Sequence, residues 1–170
     1  MSDTDSGGPI PADPAPAANR IFLVVVDASK EMPVALRYAA RRARRTGGRV
    51  ALLYVIEPSD LQQWVAVESL MREERREEAE QLLQKLSQEV NEIAGSLPIV
   101  HIREGRVRDE LLALLEEEPS ISILVLAASP GNEGPGPLIT ALIGKYATKL
   151  RVPLTIVPGG LTDEQLARCS

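Results

Sequence analysis

A doubly wound α/β domain, a single five-stranded parallel sheet with helices on both faces, is the fold class this sequence predicts. Two observations carry that reading. Runs of continuous apolar, largely β-branched residues alternate along the chain with polar segments whose apolar residues fall at helical spacing. The runs are apolar throughout rather than at every second residue, which is the pattern of strands covered on both faces. Parallel strands also need the crossover connections that the helical segments supply. At 170 residues and 44% hydrophobic content the chain is long enough to bury one sizeable core.

Residues 1–19, rich in Pro, Ala, Gly, Ser and Asp with nothing large to bury, read as a disordered tail, and the folded domain is expected over residues 20–160. The run from Ile21 to Val26, IFLVVV, is the first strand, central because every residue in it is apolar. After Asp27, Ala28, Ser29 and Lys30 the spacing turns helical through Val34, Leu36, Tyr38, Ala39 and Ala43, until Gly47 and Gly48 stop it. Val50 to Ile56 is the second strand, closed at Glu57 and Pro58 because proline prevents extension.

A long amphipathic helix is expected from about Val65 to Ala94, with Leu70, Leu82, Leu83, Leu86, Val90 and Ile93 on one stripe. Pro98 to Arg103 is a shorter strand, and Gly105 separates it from a helix over Val107 to Glu118. Ile121 to Ala127 is the fourth strand, a glycine-rich loop follows, Leu138 to Leu150 is the fourth helix, and Val152 to Val157 is the fifth strand. Residues 161–170 read as a C-terminal tail. Thr162 to Arg168 within it has a helix-like pattern that does not say whether it packs on the domain.

Composition narrows the function classes. The 19 Lys and Arg against 24 Asp and Glu give a net charge of −5, with no general pull toward nucleic acid or anionic lipid. Cys169 is the only cysteine, so neither an intramolecular disulfide nor a cysteine-rich metal site is available, and a reducing cytoplasm suits the chain. The first residues have no basic start and no apolar core, unlike a signal or transit peptide. No apolar run approaches the ~18 residues of a membrane span. A cytoplasmic protein is expected, without membrane or nucleic-acid partners.

In an open sheet of this class, ligands sit beyond the carboxyl ends of the strands, where strand order reverses. The residues there are Asp27, Glu57, Gly105 and the segment from Gly131 to Gly144. In that segment Gly131 and Gly134, lacking a Cβ, can take positive φ and let backbone N–H groups approach a phosphate. The helix that follows would add its own N–H groups and partial positive charge. Pro135 and Pro137 remove two donors, and Glu133 brings negative charge to the same loop. On composition and position alone such a segment is a linking turn more often than a phosphate cradle.

Asp27, at the end of a buried strand, can accept from an amino group or a ribose hydroxyl. Its structural alternative is to cap the helix that starts near Met32, a role Ser29 fills equally well. The pair Gly144 and Lys145 is not a Walker motif. Ile139 stands where the earlier glycine would fall and Tyr146 where the magnesium-holding hydroxyl would, so a P-loop NTPase is excluded.

From Arg20 to Gly160 the chain resembles the universal stress protein family. The resemblance is carried by Val26, Asp27, Ala28 and Ser29 at the end of the first strand, by Leu52 to Ile56, by Glu104 and Gly105 before a helix, and by Val152 to Val157. Gly131, Gly134 and Gly144 reproduce the G-x2-G-x9-G spacing of the family's nucleotide binders, with Lys145 where the family pattern has Ser or Thr. The resemblance implies an adenine-nucleotide α-hydrolase-like sheet of order 3-2-1-4-5 that binds ATP or AMP, with Mg as the ion accompanying ATP. It places Asp27 and Val55 beside adenine and ribose, lets the base approach the backbone at Gly105, and lines the phosphates with Gly131, Gly134 and Gly144. Lys145 either reaches a phosphate as a point charge or extends into water. In that strand order the fifth strand is an edge, and its Leu154, Ile156 and Val157 invite a second copy of the chain, so a homodimer is expected.

His101 sits in an apolar strand without a catalytic partner at recognisable spacing and is read as a packed or edge histidine. Arg41, Arg42, Arg44 and Arg45 are read as a solvated face pairing with the acidic long helix, and the charges from Arg72 to Glu78 as helix-stabilising pairs. Two functions follow. One is a nucleotide-binding module that acts in stress response through protein partners. The other is an interaction domain of the same fold with a degenerate pocket. No hydrolytic constellation is visible, and a slow ATPase would have only Asp27 and Glu133 as nearby carboxylates.

Overall fold

The computed structural model describes residues 20–58 and 65–170; the tail expected over residues 1–19 lies outside them. Strand β1 (Ile21–Val26) leads to α1 (Met32–Thr46), β2 (Arg49–Ile56), α2 (Val65–Ala94), β3 (Ile99–Glu104), α3 (Val107–Glu117) and β4 (Ile121–Ala128). The short helix α4 (Pro137–Ile143), a 3-10 turn over Ala147–Lys149, β5 (Leu154–Pro158) and α5 (Asp163–Cys169) complete it. All neighbouring strands are parallel, in the order β3-β2-β1-β4-β5. The doubly wound sheet is therefore the one expected.

The continuous apolar runs have a direct cause. Successive side chains of a strand point to opposite faces, and both faces of this sheet are covered. Phe22, Val24 and Val26 of β1 belong to one core, with Leu36 of α1, Leu86 of α2 and Leu166 of α5. Leu23 and Val25 belong to the other, with Leu111 and Leu114 of α3 and Ile139 and Leu142 of α4. Each such Val or Leu, fully buried, stabilises the fold by about 1.5–3 kcal/mol relative to exposure. The sheet is held rigidly from both sides, and its carboxyl ends are fixed points on which a site can be built.

Three elements differ from the sequence reading. Leu70 is 59% exposed, while Ala79, Leu83, Leu86 and Val90 form the buried stripe of α2. At about 100° per residue, the nine positions from Leu70 to Ala79 amount to roughly half a turn out of phase, so Leu70 faces away.

Helix α4 stops at Ile143 instead of reaching Leu150. Gly144 still donates to Thr140 O at 3.2 Å, but its φ of −100° and ψ of −110° leave the helical region. Glycine costs about 1 kcal/mol inside a helix. Beyond it Arg151 donates from Nε to Leu115 O at 2.7 Å, tying the chain back to α3.

The arginine face of α1 pairs differently too. Arg37 Nε meets Glu89 of α2 at 2.9 Å, but Arg44 and Arg45 donate to the carbonyls of Ile93 and Ala167, at 3.3 and 3.1 Å. Those carbonyls end α2 and α5, where orphaned acceptors and the negative helix pole attract a guanidinium.

The C-terminal segment packs. Thr162 and Gln165 form a capping box that starts α5, Leu166 is buried, and Arg37 Nη1 lies 3.5 Å from Asp163.

Candidate functional site

Strand order reverses between β1 and β4, and a cleft of about 360 Å³ opens at their carboxyl ends. Val25, Met32 and Leu126 form its apolar walls, Asp27 stands at its mouth, and Pro135 to Ile139 close the far side. Asp27 is exposed, and its Oδ1 accepts from the Ser29 N–H at 2.8 Å. The carboxylate thus holds the turn after β1 and keeps its second oxygen available. It does not cap α1. That helix begins after Glu31, which makes no side-chain capping bond, and carries a proline in its first turn, where a missing N–H is harmless.

The loop between β4 and α4 folds back on itself. The Ser129 N–H donates to Pro135 O at 3.1 Å, and Gly134 and Gly136 take φ of 95° and 109°. Gly131, expected to share that freedom, is not among the positive-φ glycines. A Cβ there would meet only Ser129 Oγ, at 3.8 Å. Pro135 and Pro137 fix φ near −65° at alternate positions, so the reversal falls to the glycines beside them. The outer side of the loop lines a second, wider cleft with Glu31, Glu133 and Thr140. Glu133 therefore lines the outer cleft and Asp27 the inner one.

The other residues singled out by sequence lie apart from this cleft. Val55 is buried in the core beneath α3, so its side chain packs rather than presents. Gly105 takes φ of 146° and donates to Ile56 O at 3.0 Å. It lines a smaller cleft of about 160 Å³ over β2 and β3, with Glu57, Glu104, Arg72 and Arg75. Arg72 there lies 3.8 Å from Glu104 and 4.0 Å from Glu68, so this cleft is laced by ion pairs. Gly144 and Lys145 are exposed at the end of α4 and line neither cleft.

Sequence reasoning missed Gly136, Leu126 and Met32 in the inner cleft. Gly136 had a signal, as the one glycine between two prolines. Met32 and Leu126 read as core residues and gave none. His101 lies on the edge strand β3, half-buried. Burial lowers its pKa, Arg103 lowers it further, and Glu118 opposes the shift. It is a neutral edge histidine.

Chemically, apolar walls with two carboxylates, Asp27 and Glu31, which also borders the outer cleft, suit a flat ring or sugar that offers N–H or O–H donors. The turned loop offers backbone to a ligand's polar end. Among the described residues no cluster of three or more His, Cys, Asp and Glu could hold a metal, and no helix is long and apolar enough to cross a membrane.

The fold is similar to that of the universal stress protein UspA from Lactobacillus plantarum, at 19% identity and TM-score 0.69, over 82% of this chain and 97% of that one. It is also similar to a universal stress protein from Archaeoglobus fulgidus in complex with dAMP, at 18% identity and TM-score 0.55, over 81% and 97% of the two chains. A universal stress protein in complex with cAMP matches at 16% identity and TM-score 0.54, over 83% and 98%. A comparison with curated protein sequences matches nothing. The model of the universal stress protein family matches residues 18–158, more than half of the chain. The chain belongs to the universal stress protein family.

Proposed function

We propose that this protein binds an adenine nucleotide, ATP or AMP, in the cleft between β1 and β4 and presents a nucleotide-dependent surface to protein partners in stress response. The observation that carries the reading is the cleft itself. It lies at the point of strand reversal, it is apolar on two sides, and Asp27 offers an open carboxylate at its mouth. Two structural relatives described as complexes with cAMP and dAMP support the ligand class.

In this reading Asp27 accepts from the ribose or the base, whereas Val55, packed in the core, and Gly105, in the smaller cleft over β2 and β3, lie apart from the ligand. The loop carrying Gly131 and Gly134 faces the phosphates, while Gly144 and Lys145 stand beyond the far end of α4 and outside both clefts. Asp27 and Glu133 line different clefts and do not converge on one point, so the reading is of a binding module and not of a hydrolase. The lone, exposed Cys169 fits a reducing cytoplasm.

β5 is an edge strand with Ile156 42% exposed, which supports a homodimer through that edge.

Calorimetric titration with ATP plus magnesium, and separately with AMP, tests the nucleotide reading. The Asp27→Asn variant keeps an acceptor for the Ser29 N–H while losing the charge, and it should bind about tenfold more weakly, the loss of one charge-assisted hydrogen bond. Absence of binding by the parent at millimolar nucleotide would leave the interaction-domain reading in its place.

A further inference from the structure

Lys145 is one of three cations gathered round a single ring. Arg108, in the first turn of α3, sets its guanidinium carbon 4.3 Å from the centre of the Tyr146 ring. Lys145 Nζ lies 5.6 Å from that centre and Lys149 Nζ 5.4 Å. Among the described residues neither lysine has a carboxylate within 4.0 Å, and Arg108 is paired only with Asp109, its neighbour in sequence. Asp109 and Glu116 line the shallow cleft that Lys149 borders, without pairing to it.

A tyrosine face attracts each cation, yet like charges gathered on one ring repel, and one aromatic ring does not neutralise three charges. An anion shared among them does. The lysines present rotatable point charges and the arginine a planar fork, a combination that fits a chain of phosphates better than a single carboxylate. The position agrees with the fold. Helix α4, seven residues and hence about 10 Å long, runs from the glycine loop to Lys145. Arg108 stands three residues past Gly105, at the carboxyl end of β3.

We infer that Arg108, Lys145 and Lys149, held round Tyr146, form a binding site for a polyphosphate chain. Its source is either the terminal phosphates of the nucleotide, in which case the inference deepens the proposed function, or a free polyphosphate.

The test titrates the parent and a Lys145→Ala, Lys149→Ala double variant with sodium tripolyphosphate, ATP and AMP. Both lysines are exposed, so the variant should keep the parent's melting temperature. The parent is expected to bind tripolyphosphate, and the variant about a hundredfold more weakly, roughly tenfold per lysine. If ATP binding falls with it while AMP binding holds, the nucleotide supplies the phosphates. If tripolyphosphate binding falls and ATP binding does not change, the ligand is free polyphosphate. A parent that binds neither tripolyphosphate nor ATP overturns the inference, as does a variant that binds both as well as the parent. Loss of AMP binding by the Asp27→Asn variant bears on the cleft alone, so the two readings fail separately. Restoring charge with Lys145→Arg and Lys149→Arg should recover tripolyphosphate affinity.

Discussion

Two adjacent glycines after β5 should respond oppositely to the same substitution. A Cβ on Gly159 would lie 2.3 Å from Ala128 O, 2.6 Å from Glu31 Cβ and 3.3 Å from Pro130 Cδ. None of these is the far end of a flexible side chain. Ala128 O is moreover the acceptor of the Gly159 N–H, at 2.9 Å, which closes the pairing of β5 with β4. Relief requires a shift of nearly an ångström, which strains or breaks that hydrogen bond and displaces the residue that opens α1. Strain of about 1–3 kcal/mol from overpacking, plus about 1 kcal/mol for the bond, gives a loss of roughly 2–4 kcal/mol for Gly159→Ala. For a domain of this size that is a fall of roughly 4–16 °C in Tm. Gly160 is the control. A Cβ there meets only Pro130 Cβ, at an ordinary 3.8 Å. Gly160→Ala should be neutral or stabilise by up to about 1 kcal/mol through the unfolded chain. Differential scanning calorimetry decides, and a Gly159→Ala protein melting within about 2 °C of the parent would refute the steric argument. Because Glu31 and Pro130 border the loop and clefts at the carboxyl ends of β1 and β4, the same variant should weaken the proposed nucleotide binding.

Burial depresses the pKa of His101 below its ordinary 6.5, so the unfolded chain takes up the proton before the folded one does. Its contribution to stability is complete above that value and is lost as pH falls toward the folded value. Urea unfolding at about pH 7.5, 6.5 and 5.5 should show a weaker acid loss in His101→Gln than in the parent, and parallel curves would refute this. For the edge strand, light scattering of the parent at micromolar concentration should report a dimer and Ile156→Lys a monomer; a monomeric parent removes the β5 interface.

The sheet was legible because burial on both faces demands strands without polar interruptions, and IFLVVV has none. Its boundaries with helices were legible wherever glycine or proline punctuated them, as at Gly47, Pro58 and Gly105. Periodicity misled where it continued past a break. Tyr146 and Leu150 prolong the apolar spacing of α4, and both do pack into the core beneath α3 and α4, but from a turn and not from a helix. Leu70 shows the converse error, an apolar residue counted on a stripe half a turn from where it lies. The packing of α5 was hidden because a seven-residue helix buries so few residues that its pattern names no partner. Its capping box, Thr162 followed three residues later by Gln165, was present in the sequence all along.

The loop shows why glycine spacing reads a site only in part. The family spacing marks Gly131, yet the backbone takes positive φ at Gly134 and Gly136, the glycines beside the two prolines that hold φ near −65°. The same prolines strip two N–H groups from the segment that would otherwise grip a phosphate. A loop built this way has fewer backbone donors to offer, and a site that still holds phosphate must draw its positive charge from side chains. Arg108 is 37 positions before Lys145 in the chain, and only the packing of Tyr146 against the first turn of α3 brings them together. In the proposed arrangement, the prolines in the loop and the lysine after Gly144 are two halves of one exchange, in which backbone donors give way to cations held on a tyrosine.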